Sequence, residues 1–123
     1  MRVACCLLLI IAGCVGGTAC RSTAGGPTQS EMNEQASAES HQADMCLEQV
    51  CAEIRPLLDA GGRAKFAAAQ TAWVAFRQAE AESCADFYRG GSIAPWMFCK
   101  SLTDSTERRT SQLQAELNEL KAH

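Results

Sequence analysis

Residues 63–89 read RAKFAAAQTAWVAFRQAEAESCADFYR, and this segment carries the clearest structural pattern in the chain. Its apolar side chains recur every three or four residues, which is the spacing of one face of an α-helix. Glu80 interrupts this stripe and lies three residues after Arg77, so we expect these two side chains to pair. The segment predicts a long amphipathic helix whose stripe consists of Phe66, Ala69, Trp73, Phe76, Cys84 and Phe87.

Two flanking segments show the same periodicity, and we find no alternation typical of strands. Residues 31–59 predict a first helix, which Pro56 should kink or end because proline lacks the N–H that bonds the carbonyl four residues back. Residues 95–121 predict a third helix, and Gly61-Gly62 and Gly90-Gly91 should break the chain between helices. Short connections make neighbouring helices antiparallel. We therefore expect an all-α, up-down-up bundle of three long helices, with a core formed by Leu47, Ile54, Trp73, Phe76 and Leu113.

Length and composition restrict the classes of protein. The chain has 123 residues, of which 47% are hydrophobic and 20% are charged, and its net charge is -3. This length gives a single domain and excludes a two-domain enzyme. The negative charge gives no electrostatic reason to expect nucleic acid as a partner.

The N-terminus resembles an export signal. Met1-Arg2 precedes an apolar run over residues 3–12, which is too short to span a bilayer but has the length of a signal-peptide core. Ile11-Ala12-Gly13-Cys14 resembles the bacterial lipobox, in which the cysteine is lipidated and becomes the new N-terminus. Cys20 is a second choice, and a cleaved signal without lipid is the alternative. We expect a signal peptide at 1–13, a flexible tether at 14–30 and a helical domain at 31–123.

The eight cysteines divide by position. Cys5 and Cys6 leave with the signal, and four remain in the helical domain. Cys84 and Cys99 lie at similar heights across the Gly90-Gly91 turn, so we expect a disulfide that stabilises the fold by about 3 kcal/mol. Cys51 lies on the apolar stripe and is expected to be a buried thiol, too far along the helix to pair with Cys46. Cys46 is either free or linked to a second chain.

No set of residues indicates catalysis or a cofactor. His41 and His123 lie in polar or terminal positions and are expected to be solvated. His41, Cys46 and Cys51 do not have the spacing of a compact zinc site. We therefore expect no catalytic residue, no metal and no cofactor, so that the protein is not an enzyme.

Five short motifs follow one another along the chain. They are Thr28-Gln29-x-Glu31-Met32-Asn33, Ala43-Asp44-x-x-Leu47, Ala69-Gln70-x-x-Trp73-x-x-Phe76-Arg77, Gly90-Gly91-Ser92-x-x-Pro95 and Thr106-x-x-Arg109-x-x-x-Leu113. In this order and spacing, the motifs resemble the lysozyme inhibitor LprI-like family of bacterial exported proteins. The similarity extends over residues 28–117. The cysteine positions of this chain depart from the family pattern, which has cysteines where this chain has Gln35, Ala81 and Ser101.

The resemblance implies inhibition of lysozyme by binding for the named member and an exported helical domain for most members, so we expect a protein partner, with lysozyme the leading candidate. Together with the lipobox, this predicts a domain anchored on the periplasmic or surface face of the bacterial cell envelope. Lysozyme is basic and its cleft holds two carboxyl groups. We hypothesise that Arg89 and Ser92, beside Gly90-Gly91, donate to these groups while Tyr88 and Trp96 stack against the cleft. The glycines could instead simply end the second helix. The alternative function is a structural or assembly component of the envelope.

Overall fold

The structure is a computed structural model that describes residues 25–123. Within that range the chain forms α1 (Gln29–Ile54), a short 3-10 turn (Arg55–Leu57), α2 (Ala60–Asp86) and α3 (Ala94–Ala122), without a strand. The prediction of an all-α, three-helix fold is confirmed. The predicted signal peptide, the candidate lipidation sites Cys14 and Cys20, and most of the tether lie outside the described residues.

Local sequence signals set the helix ends. Thr28 and Glu31 form a capping box at the start of α1, in which the Thr28 N–H donates to the Glu31 carboxylate at 2.7 Å. Pro56 ends the regular part of α1, as predicted, and the chain continues as the 3-10 turn. Asp59 then caps α2 by accepting the N–H of Gly62 at 2.6 Å. The prediction that Gly61-Gly62 breaks the chain is wrong, since both glycines lie in the first turn of α2.

The helices α1 and α3 run parallel and pack against each other, and α2 runs antiparallel to both. Lys121 and Glu53, near the C-terminal ends of α3 and α1, pair at 2.8 Å, which shows their common direction. The core lies mainly between these two helices, and Trp73 and Phe66 of α2 cover its edge. Removing side chains of this kind from water supplies most of the driving force for folding. The buried cluster consists of Leu47, Val50, Cys51, Ile54, Leu113 and Leu117.

Helix α2 is the least buried of the three, with Ala81 its single fully buried residue. Phe76 was predicted to lie in the core, but 59% of it is exposed. The inward face of α2 contains Trp73, Arg77 and Ala81. Phe76 precedes Arg77 by one residue and therefore points about 100° away from it around the helix.

The predicted disulfide is absent, because Cys84 and Cys99 are both free thiols. The two cysteines lie at similar positions along the bundle axis, as expected, because Cys84 shares a groove with Met97 and Ser101, the residues on either side of Cys99 along α3. Cys99 lies two residues from each of these, so it points about 160° away around α3, toward the opposite side of the helix. The bundle is therefore not stapled across the α2–α3 turn. Cys51 is buried, as predicted, and Cys46 is an exposed free thiol.

Candidate protein-binding site

Arg77 links all three helices. Its Nη1 donates to the Asp44 carboxylate of α1 and, at 2.7 Å, to the Thr106 hydroxyl of α3. The guanidinium lies 4.9 Å from the centre of the Trp73 ring, at cation–π distance. The expected pairing of Arg77 with Glu80 is wrong, because Glu80 instead accepts a hydrogen bond from Ser105 at 2.7 Å.

Gln70 lies about two helical turns before Arg77 on α2 and forms a second polar link between the helices. Its amide donates to the Cys51 sulfur at 3.2 Å and accepts from Arg109 of α3 at 2.9 and 2.7 Å. Burial raises the pKa of the Cys51 thiol, so this group stays protonated and unreactive at neutral pH.

Three of the five sequence motifs therefore contribute contacts between the helices. Leu47 lies in the core, and Asp44, Gln70, Arg77, Thr106 and Arg109 form the two polar links. Hydrogen-bond networks between helices favour one arrangement of the helices against one another. These residues set the arrangement of the helices rather than a surface for a partner: Asp44, Leu47, Gln70, Trp73, Arg77, Thr106 and Arg109.

The turn between α2 and α3 projects from one end of the bundle. Gly90 adopts a left-handed backbone with φ of 82°, a conformation that favours glycine. The Gly91 N–H donates to the Tyr88 carbonyl at 3.0 Å and closes the turn. The N-cap of α3 is Ile93, which makes no capping side-chain bond.

Arg89 is exposed and forms an ion pair with Asp86. Its Nε and Nη2 donate to the two oxygens of Asp86 at 2.7 and 2.6 Å, a bidentate pair that raises the pKa of Arg89. The Nη1 atom has no protein partner among the described residues. Asp86 therefore offsets the positive charge that the sequence hypothesis assigned to binding, although one donor remains available.

Three apolar side chains stand out at this end of the molecule, and we name them the turn patch: Phe87, Tyr88 and Ile93. Phe87 is 85% exposed and Tyr88 is 42% exposed. Sequence reasoning missed Phe87 because its spacing placed it on the apolar stripe of the second helix. Exposed apolar clusters of this kind mark interaction sites in soluble proteins.

A shallow groove of about 400 Å³ lies beside the turn patch. Its lining is mostly apolar and includes the acidic side chains of Glu82 and Asp86. Trp96 is not part of it: this residue is half-buried and lies two positions from Ala94 and Phe98, which puts it on the opposite side of α3. Among the residues of the turn hypothesis, Trp96 therefore lies apart from the others in the structure. The residues that lie together in the turn are Tyr88, Arg89, Gly90, Gly91 and Ser92. The groove is lined by Glu82, Ala85, Asp86, Arg89, Gly90, Ala94, Pro95 and Phe98.

Within residues 25–123, no group of three or more His, Cys, Asp or Glu side chains could hold a metal ion. No helix there is both long and apolar enough to cross a membrane. His41 and His123 are exposed, as predicted.

Comparison with known proteins gives one match. The family model described as lysozyme inhibitor LprI matches residues 20–113, which include all of α1 and α2 and most of α3. No curated protein and no solved structure matches the chain significantly. The family resemblance found in the sequence motifs is confirmed, and the description is that of an inhibitor rather than an enzyme.

Proposed function

Because the chain belongs to the lysozyme inhibitor LprI family, we propose that it binds lysozyme and blocks its active-site cleft. The observation that carries this proposal is the family match together with a projecting turn that exposes Phe87 and Tyr88. Aromatic and arginine side chains dominate the energetics of protein interfaces.

The turn patch supplies the apolar part of the contact. Phe87 and Tyr88 enter the cleft, and the hydrogen bond from the Gly91 N–H to the Tyr88 carbonyl constrains the turn, which limits the conformational entropy lost on binding. The Nη1 atom of Arg89 and the Ser92 hydroxyl are donors for the two carboxyl groups of a glycosidase cleft. Arg89 already pairs with Asp86, so its guanidinium would be shared between Asp86 and a cleft carboxylate. We therefore expect Phe87 to contribute more to affinity than Arg89.

The charge of the domain favours a basic partner. All 14 acidic residues lie between Glu31 and Glu119, whereas two of the 11 basic residues, Arg2 and Arg21, precede the described range. Opposite net charges raise the rate of association and disfavour acidic partners. Lysozyme, a basic enzyme, meets this requirement.

An N-terminal lipid on Cys14, or else Cys20, would hold this domain in the bacterial cell envelope, where lysozyme acts on the wall. Ile11-Ala12-Gly13-Cys14 supports this part of the proposal, and the residues between the lipidated cysteine and the start of α1 at Gln29 would serve as the tether, two residues shorter than the predicted range of 14–30. Labelling with a radioactive fatty acid tests it. We expect label in the wild type and none in Cys14→Ser; label that persists in Cys14→Ser but not in Cys20→Ser identifies the second choice.

Binding to lysozyme, measured by isothermal titration calorimetry, tests the turn. We expect Phe87→Ala to weaken binding by tenfold or more, and the double change Arg89→Ala, Ser92→Ala to weaken it less. Met45→Ala is the control, because Met45 is 60% exposed on α1 and lies outside the turn patch. Unchanged binding in both turn variants would remove the turn from the mechanism while leaving lysozyme as the partner.

The second candidate function is a structural or assembly component of the cell envelope. The observation that favours it is a second exposed apolar surface, on α2, where 59% of Phe76 is accessible. An absence of lysozyme binding would favour this alternative.

A further inference from the structure

The outer surface of α2 carries no exposed charge over about four helical turns. Residues 66–79 contain one charged side chain, Arg77, which is turned inward to Asp44 and is 14% exposed. This segment is about 20 Å long. We name its exposed side the α2 outer face, which consists of Ala68, Thr71, Ala72, Ala75, Phe76 and Ala79.

No contact among residues 25–123 covers this face. The inward stripe of α2 (Trp73, Arg77 and Ala81) meets α1 and α3, and Ala75 lies roughly opposite that stripe. Phe76 lies at the edge of the α2 outer face, about 100° from Ala75, and is 59% exposed. A soluble surface is normally interspersed with charged residues, so a long uncharged face with an exposed aromatic ring marks an interaction site.

The two ends of the α2 outer face carry opposite charges. Lys65 precedes it and Glu82 follows it, and both side chains are exposed. Neither makes an ion pair among the described residues, and Glu82 accepts only a hydrogen bond from Gln78. An antiparallel copy of the same helix brings each Lys65 to the Glu82 end of its neighbour, whereas a parallel copy brings like charges together.

This pattern is self-complementary, which is the requirement of a two-fold symmetric interface. The alanines allow two helices to approach closely, near the lower end of the usual 8–10 Å interaxial range. Phe76 then covers the small side chains of the partner subunit. We propose that the α2 outer face is the interface of an antiparallel homodimer.

The dimer does not depend on the lysozyme proposal. The turn patch lies beyond the C-terminal end of α2 and stays accessible, and antiparallel packing places the two turn patches at opposite ends of the dimer. Each dimer would therefore present two separate binding sites.

Sedimentation velocity of the purified protein at micromolar concentration tests the proposal, with a reductant present so that Cys46 cannot link two copies. We expect a dimer in the wild type and a monomer in Ala72→Glu, which places a charge in the interface. Ala38→Glu is the matched control, since Ala38 is exposed on α1, and it should remain dimeric. A monomeric wild type, a dimer seen only without reductant, or a dimer unaffected by Ala72→Glu would each overturn the proposal.

A charge exchange keeps the test decisive if Ala72→Glu fails to fold. Lys65→Glu should weaken the dimer about tenfold, because it opposes Glu82 of the partner subunit. The double change Lys65→Glu, Glu82→Lys should restore it. Equal weakening in the single and double variants contradicts antiparallel pairing of these ends.

Discussion

Arg77 on α2 and Asp44 on α1 form the one ion pair that joins these two helices within residues 25–123. The Arg77 side chain is 14% exposed, and its Nε atom is buried without a hydrogen-bond partner. Because α2 contacts α1 mainly through such side chains, the pair positions α2 against the α1–α3 core.

We predict that Asp44→Ala lowers the free energy of unfolding by about 2 kcal/mol, since it leaves a largely buried guanidinium without its charged partner. Urea denaturation measures the loss. Glu48→Ala is the matched control on the same helix: Glu48 pairs with Arg55 in an exposed position, and its loss should cost less than about 1 kcal/mol. Equal losses in the two variants contradict the role of the Arg77–Asp44 pair.

The four thiols of the described domain should differ in reactivity. We predict that maleimide labels Cys46 fastest and Cys51 slowest in the folded protein, because burial raises the pKa of Cys51 and the thiolate is the reactive form. Mass spectrometry of the labelled peptides measures the order. Unfolding without a reductant should then expose all four thiols, and a peptide that joins Cys84 to Cys99 by a disulfide would contradict the prediction that both are free.

Alkaline conditions should weaken the fold through Cys51. Its pKa is raised in the folded state, so the unfolded chain releases the proton first and stability is lost as the pH rises above the ordinary thiol pKa. We predict that the free energy of unfolding falls less steeply with pH in Cys51→Ala than in the wild type. Denaturation curves from neutral pH to pH above the thiol range measure both slopes, and identical slopes contradict the prediction.

Acid should remove the contribution of the α1 capping box. Hydrogen bonds from Thr28 lower the pKa of Glu31. The ionised carboxylate therefore stabilises the folded state at pH values above the ordinary carboxyl pKa, and this contribution is lost as the pH falls through the lowered pKa. We predict that Glu31→Gln is less stable than the wild type at pH 7 and that the difference narrows in acid. Thermal unfolding at several pH values checks this, and a difference independent of pH argues against it.

Sequence periodicity predicted how far along each helix a residue lies better than the direction in which it points. The three helices and the end of α1 at Pro56 followed from spacing and proline chemistry. Cys84 was placed at the right height on α2, but rotation of α3 turns Cys99 away from it. Apolar spacing also placed Phe76 in the core and Phe87 on the apolar stripe of α2, yet both are exposed, because a stripe identified in one helix does not show which part of it the neighbouring helices cover.

The polar contacts show the same limit. The spacing predicted that Arg77 pairs with Glu80 on the same helix, whereas in the folded chain Arg77 pairs with Asp44 of α1. The sequence motifs include both Asp44 and Arg77 but do not indicate that these two side chains are in contact. Such pairs depend on the packing of helices that are distant in sequence, which no local pattern encodes.

Inhibition of lysozyme by the purified protein tests the central proposal most directly. Turnover of bacterial cell-wall substrate is followed while the protein is added at increasing micromolar concentration, with Met45→Ala and Phe87→Ala as paired variants. We predict loss of lysozyme activity with the wild type and with Met45→Ala, and a markedly weaker effect with Phe87→Ala. Full lysozyme activity at every concentration of the wild-type protein would contradict the proposal.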